Sequence, residues 1–227
     1  GWPIRRGCMF RTHLLAGLLM LLSAEAVVFG LAVLIEATRF GLVIEPLLIW
    51  LGILALETVV FYGIAVLCAI SVAGRAAFFM LPQFKPVLAL TIISGVALGG
   101  ETGFLVGAMT MLASNVLFSQ GPWTPFQMFT WGLLGFVAGY LRNRLKSSAV
   151  FLAVYGAFAG VAFSLLMDVW TALWIDGTFN PARYGAAVAT SLGYMAIYAV
   201  SNVVFLLLLR KPMGRILGRI QEKYGVY

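Results

Sequence analysis

The sequence predicts an all-α, polytopic transmembrane helix bundle, and three observations lead there. Hydrophobic residues fill 62% of the 227 positions and charged residues only 10%, with a mean hydropathy of +1.01. Soluble domains carry roughly 45–50% apolar and about 25% charged residues, so lipid must cover this surface. Apolar runs close to the ~20 residues needed to cross a bilayer recur along the chain. Finally, the basic residues behind the +7 formal charge gather at the ends of those runs. Such clusters mark cytoplasmic loops facing anionic headgroups, which leaves no basic soluble face for nucleic acid. No hydrophilic stretch is long enough for a separate soluble domain.

Taken in order, the first predicted span is 12–36, an anchor helix without a small-residue cleavage site. The stretch 43–73 is long for one span and short for two: either one tilted helix, or a short helix that turns near Glu57. Spans 87–100 and 102–118 are short helices joined at Gly99-Gly100-Glu101-Thr102-Gly103, where glycine permits a tight turn. Spans 126–141, 149–174 and 184–209 complete the set. With the basic loop Arg142–Lys146 and the chain after Leu209 inside, the loops LPQFKP, SQGPWTP and 175–183 fall together on the outer side. Small residues recur at four-residue spacing (Gly95/Gly99/Gly103/Gly107, Gly135/Gly139, Gly156/Gly160, Ala65/Ala69/Ala73), which lets helix backbones approach closely in lipid. The alanine row reads either as internal packing or as a face for another membrane protein.

Enzymatic constellations are nearly absent. His13 is the single histidine and sits beside a basic segment, and no HExxH, GxSxG or Walker A pattern occurs, so neither catalysis nor ATP hydrolysis is expected. Cys8 and Cys68 have no disulfide or metal-knuckle spacing, and no cofactor is expected. Polar residues inside spans are costly and so informative. Glu25 reads as an ion-pair partner or a protonated acid, and Glu57 and Glu101 as interfacial or solvated carboxylates. Asp168, beside Trp170 and Trp174, either hydrogen-bonds a solute or belongs to an aromatic belt.

The stronger signal lies in the outer loops. Asn115, Gln120, Trp123 and Gln127 combine amides, which both donate and accept, with a flat ring. That mixture suits a flat or heterocyclic organic solute better than an ion. Phe79, Gln83 and Lys85 form a candidate lid, and Asn180, Tyr184 and Tyr194 a candidate closing side. Tyr184, Ser191 and Tyr194, at intervals of seven and three, are expected to share one helix face. Substrate capture therefore competes with two other readings: a non-transporting membrane scaffold, and an intramembrane lipid-modifying enzyme, which lacks a His/Asp or carboxylate pair.

The runs GRAAFFMLPQFKPV, GVALGGETGFLVGAMT and SNVLFSQGPWTPFQMFTWGLLGFVAG closely resemble the substrate-binding S component of energy-coupling factor (ECF) vitamin transporters. The resemblance spans about 57–210. It implies a six-helix core with an outward-facing site; residues 1–56 are an addition of one or two helices to that core, about which the resemblance says little, and 211–227 reads from its charge as a basic cytoplasmic tail. It further implies a multi-pass protein of a prokaryotic plasma membrane that docks on a transmembrane T protein with two ABC-type ATPases. Docking is expected through small residues on the first core helix, matched here by Ala65, Ala69 and Ala73. By location, the implied substrate site takes in Phe79, Gln83, Lys85, Asn115, Gln120, Trp123, Gln127, Asp168, Trp174, Asn180, Tyr184 and Tyr194. The aromatic loops are compatible with cobalamin or another tetrapyrrole, and equally with a riboflavin-sized vitamin.

Overall fold

The computed structural model describes residues 44–224. The predicted span 12–36, with Cys8, His13 and Glu25, lies outside them. Among the described residues the chain is helical: α1 (Ile44–Ala77), α2 (Val87–Leu98), α3 (Gly100–Phe118), α4 (Thr124–Tyr140), α5 (Arg142–Ser147), α6 (Ala149–Asp176) and α7 (Pro181–Tyr224). The described chain divides between Tyr62 and Gly63 into two compact units, the second running over 63–224. Helix α1 runs unbroken through position 57, so the long second stretch is one helix without a turn. Its 34 residues extend for about 50 Å, well beyond a ~30 Å hydrocarbon core.

In the second unit, α2 is the central element. Every residue from Val87 to Ala97 is buried, as expected for a helix apolar on all sides. Its two hydroxyls turn back on their own helix: Thr91 donates to the Val87 carbonyl and Ser94 to that of Leu90. Twelve residues rise only about 18 Å, so α2 is short of a full span and is enclosed by its neighbours. The 63–77 portion of α1, with α2, α3, α4, α6 and α7, makes the six-helix core that the resemblance implies. Helices α3, α6 and the 181–219 part of α7 are long and apolar enough to cross a membrane.

The reversal between α2 and α3 is tighter than the five-residue turn read from sequence. Gly99 alone breaks the helix, at φ 105°, a conformation open to glycine, while Gly100 to Gly103 already belong to α3. This brings Gly95, Gly103 and Gly135 into backbone contact. A Cβ on Gly103 would lie 2.7 Å from the Gly95 Cα and 2.5 Å from the Gly135 carbonyl oxygen. The predicted small-residue rows thus seat α4 against the α2–α3 pair.

Helix α7 continues past Leu209, through Pro212, to Tyr224. The segment read as a tail is therefore helical over its described part, because Met213 and Leu217 are buried against the bundle. The inner stripe of α7 runs Met195, Tyr198, Asn202 and Leu206, stepping by three or four residues. Ser191 belongs to this stripe but Tyr194 does not, being 55% exposed. The shared face expected for Tyr184, Ser191 and Tyr194 fails at its last member, because Tyr194 is adjacent to Met195 on the inner stripe and so lies about 100° round the helix from it.

Candidate functional site

The two proline-marked loops meet at one end of the second unit. Phe79, after α1, stacks on Phe118, at the end of α3, with ring centroids 5.5 Å apart. Arg75 lies over the same Phe118 ring, 5.3 Å from its centroid. The loop 78–86 is pinned on its other side to α7, where Ser201 Oγ accepts from the Lys85 N–H (2.9 Å) and donates to the Lys85 carbonyl (3.2 Å). Phe78 and Phe84 pack on Phe205 beneath it. Within this held loop Gln83 adopts φ 59°, which is uncommon and strained for a residue with a side chain.

Behind the loops runs a continuous hydrogen-bond chain. One Arg75 amine, Nη1, donates to Ser114 Oγ (2.6 Å) and to Asn115 Oδ1 (3.0 Å). Asn115 Nδ2 donates onward to Gln127 Oε1 (2.7 Å) and Thr124 Oγ1 (3.0 Å), and the Thr124 hydroxyl reaches Gln120 Oε1 at 3.3 Å. Asn115, fully buried, spends its amide on holding Arg75 and Gln127 in place. With its oxygen engaged, Gln127 keeps its NH2 group for other partners.

This chain walls a cavity of about 160 Å³ bounded by Arg75, Gln83, Lys85, Gln127, Trp131 and Tyr198. Val87, Met111 and Phe163 supply the apolar part of the wall. Trp131, Phe163 and Tyr198 form an aromatic cluster with centroids 5.4–6.4 Å apart. Trp131 is 5% exposed and Tyr198 2%, yet the indole Nε1 and the phenol oxygen have no hydrogen-bond partner. Buried polar atoms are nearly always paired, so two orphans on one cavity wall point to a polar guest. None of the described lining residues is a carboxylate, so the charged groups at the cavity, Arg75 and Lys85, are both donors. Burial, and next the charge of Arg75, lower the pKa of the Lys85 ammonium from its ordinary value.

Of the sequence-predicted residues, Gln83, Lys85 and Gln127 line the cavity, while Asn115 and Gln120 stand behind it in the hydrogen-bond chain. Phe79 lies over Phe118 and is 61% exposed. Trp123 precedes α4 and folds its ring over Gly121, a packing role outside the lining. Asp168 accepts from Ser191 Oγ at 2.7 Å, tying α6 to α7. Trp174 stacks on Trp170 at 5.4 Å, and Trp170 reaches Phe126. Asn180 Oδ1 accepts from the backbone of Ala182 and Arg183, capping α7 ahead of Pro181. Tyr184 packs on Phe179, and Tyr194 faces outward.

Sequence reasoning missed Arg75, Trp131, Phe163 and Tyr198. Arg75 carried a readable signal, a charge ending a long apolar run. The aromatic residues did not, since a ring inside an apolar helix looks like core until the fold shows a cavity beside it. Ala65 is partly exposed, and Ala69 and Ala73 are exposed.

No curated protein and no solved structure matches this chain. A family model described as ECF-type riboflavin transporter, S component, matches residues 53–223, which takes in all six core helices and the whole cavity lining. The chain belongs to that family of ECF S components, and is accordingly a membrane-embedded substrate-binding subunit of a vitamin importer rather than an enzyme.

Proposed function

We propose that this S component captures a flavin-type vitamin, riboflavin foremost, in the cavity between Gln83, Gln127, Trp131 and Tyr198. The observation that carries the reading is the pair of unpartnered buried donors, Trp131 Nε1–H and Tyr198 O–H, on a wall that also holds Arg75 and Lys85. An isoalloxazine ring offers the complement: carbonyl oxygens and ring nitrogens along one edge, and an apolar dimethylbenzene edge suited to Val87, Met111 and Phe163. The matched family carries riboflavin in its description, which agrees with this chemistry. A space of about 160 Å³ is below the roughly 300–1,000 Å³ typical of small-molecule sites, which favours one edge of a flat heterocycle over a tetrapyrrole. Cobalamin is therefore not the substrate proposed.

The cavity end is the external face in this reading, because Arg142, Arg144 and Lys146 lie between the far ends of α4 and α6. Release inward requires docking on a T protein with its ATPases in a prokaryotic plasma membrane. The exposed Ala69 and Ala73 on the first core helix supply a small-residue surface for it. The test is to purify the protein from flavin-replete cells and record the absorbance of the small molecules it retains. A flavin spectrum at near-unit stoichiometry supports the proposal, whereas a corrin spectrum, or no retained chromophore and no uptake on adding riboflavin, overturns it.

A further inference from the structure

At the opposite end of the second unit lies a larger cavity, of about 550 Å³, whose chemistry differs from that of the vitamin site. Four cationic side chains line it: Lys146 from α5, and Arg210, Lys211 and Arg215 from α7. Its floor is apolar, built from Ile93, Val96, Leu145 and Leu152. Among the described residues the sole ion pair is Arg183–Asp176, between the end of α6 and the start of α7, so none of the four cations is paired with a described carboxylate. Arg215 turns its Nε–H to the Lys211 carbonyl at 3.4 Å, on its own helix.

The outer faces beside this cavity are strongly apolar. Val150, Phe151 and Val154 flank Leu152 on α6 and are 71%, 55% and 61% exposed. Leu208, two positions before Arg210, is 65% exposed. The four cations thus stand where a lipid-facing surface ends, at the level of phospholipid headgroups, and they converge on a concavity with an oily floor.

We propose that this cavity is a specific binding site for one anionic phospholipid, its phosphodiester held by Lys146, Arg210, Lys211 and Arg215 and its glycerol and proximal acyl carbons lying on Ile93, Val96 and Leu152. Charge complementarity requires an anion. The apolar floor, which acyl carbons can cover and a soluble phosphate would leave unused, selects a lipid. An acidic segment of a protein partner would satisfy the cations but would have no use for the floor.

The test uses the full-length purified protein and native mass spectrometry with titrated phosphatidylglycerol and phosphatidylcholine. One phosphatidylglycerol is expected to remain bound under conditions that strip phosphatidylcholine. Arg210→Gln, Lys211→Gln and Lys146→Gln should each weaken that binding about fivefold. Arg142→Gln, which removes a basic residue outside the lining, should leave it unchanged, and unaltered melting temperatures would show that the variants fold. Equal retention of the two lipids, or an equal loss with Arg142→Gln, overturns the proposal. Displacement of the lipid by millimolar inorganic phosphate overturns it in favour of a soluble anion. An anionic-lipid preference that is absent from the isolated chain and arises only in complex with a T protein overturns it in favour of a protein partner.

Discussion

Arg75 ends α1 with its guanidinium divided between two tasks. Nη1 is held by Ser114 and Asn115, which fixes the group, while the residue still borders the cavity with N–H groups to spare. Lys85 faces the same space from the loop. Because its pKa is lowered, its charge is lost earlier on the alkaline side than that of an ordinary lysine. Vitamin affinity should be complete below that lowered pKa and fall as pH rises through it. Lys85→Arg, charged throughout, should flatten the profile, and titrations across the alkaline range would show a wild-type curve equally flat if the ammonium made no contact. Gln83 offers a second residue-scale test. Its φ of 59° stores strain, so Gln83→Gly should stabilise the protein by about 1 kcal/mol while weakening vitamin binding several-fold. Thermal melts and binding curves measured on the same variant would separate the two effects, and a lowered melting temperature would contradict the strain.

At the scale of elements, most helices were readable because their apolar runs end at glycine, proline or basic residues. The predicted start of 126–141 at Phe126 and the observed start of α4 at Thr124 differ by no more than fraying explains. What could not be read was which helix is enclosed. The apolar α2 looks like any short span, and only the fold shows that it is buried on all sides. The Gly99 turn looked longer than it is because Gly103 resembles turn punctuation, whereas it is a contact point for Gly95 and Gly135. A Cβ on Gly135 would strike the Gly103 carbonyl and come within 2.9 Å of Thr91 Cγ2. Gly135→Ala should therefore cost about 1–3 kcal/mol by overpacking, measured as a lower melting temperature. A neutral result would mean that the three helices are less tightly seated. Ala69 concerns a different surface. With its side chain exposed on the first core helix, Ala69→Leu should leave vitamin binding intact and abolish uptake in cells carrying the T protein and ATPases. Sustained uptake would place docking elsewhere.

Over the whole molecule, the two ends of the six-helix unit carry complementary chemistry. One end gathers amides, aromatic rings and two cations around a small cavity; the other gathers cations over an oily floor. The sequence revealed that both proline-marked loops belong to the first end, since amides and aromatics concentrate there. It did not reveal which of those side chains turn inward. Trp123 and Trp131 are equally conspicuous in sequence, yet one covers a glycine and the other borders the cavity. That difference depends on the loop before α4, which turns Trp123 back over Gly121, and on the face of α4 that carries Trp131. The central claim is that Trp131 and Tyr198 donate to a bound flavin, and titration of riboflavin into wild-type, Trp131→Phe and Tyr198→Phe protein tests it most directly. Each substitution keeps an aromatic ring and removes one polar hydrogen, so each should weaken binding about tenfold with the melting temperature preserved. Unchanged riboflavin affinity in both variants would contradict it.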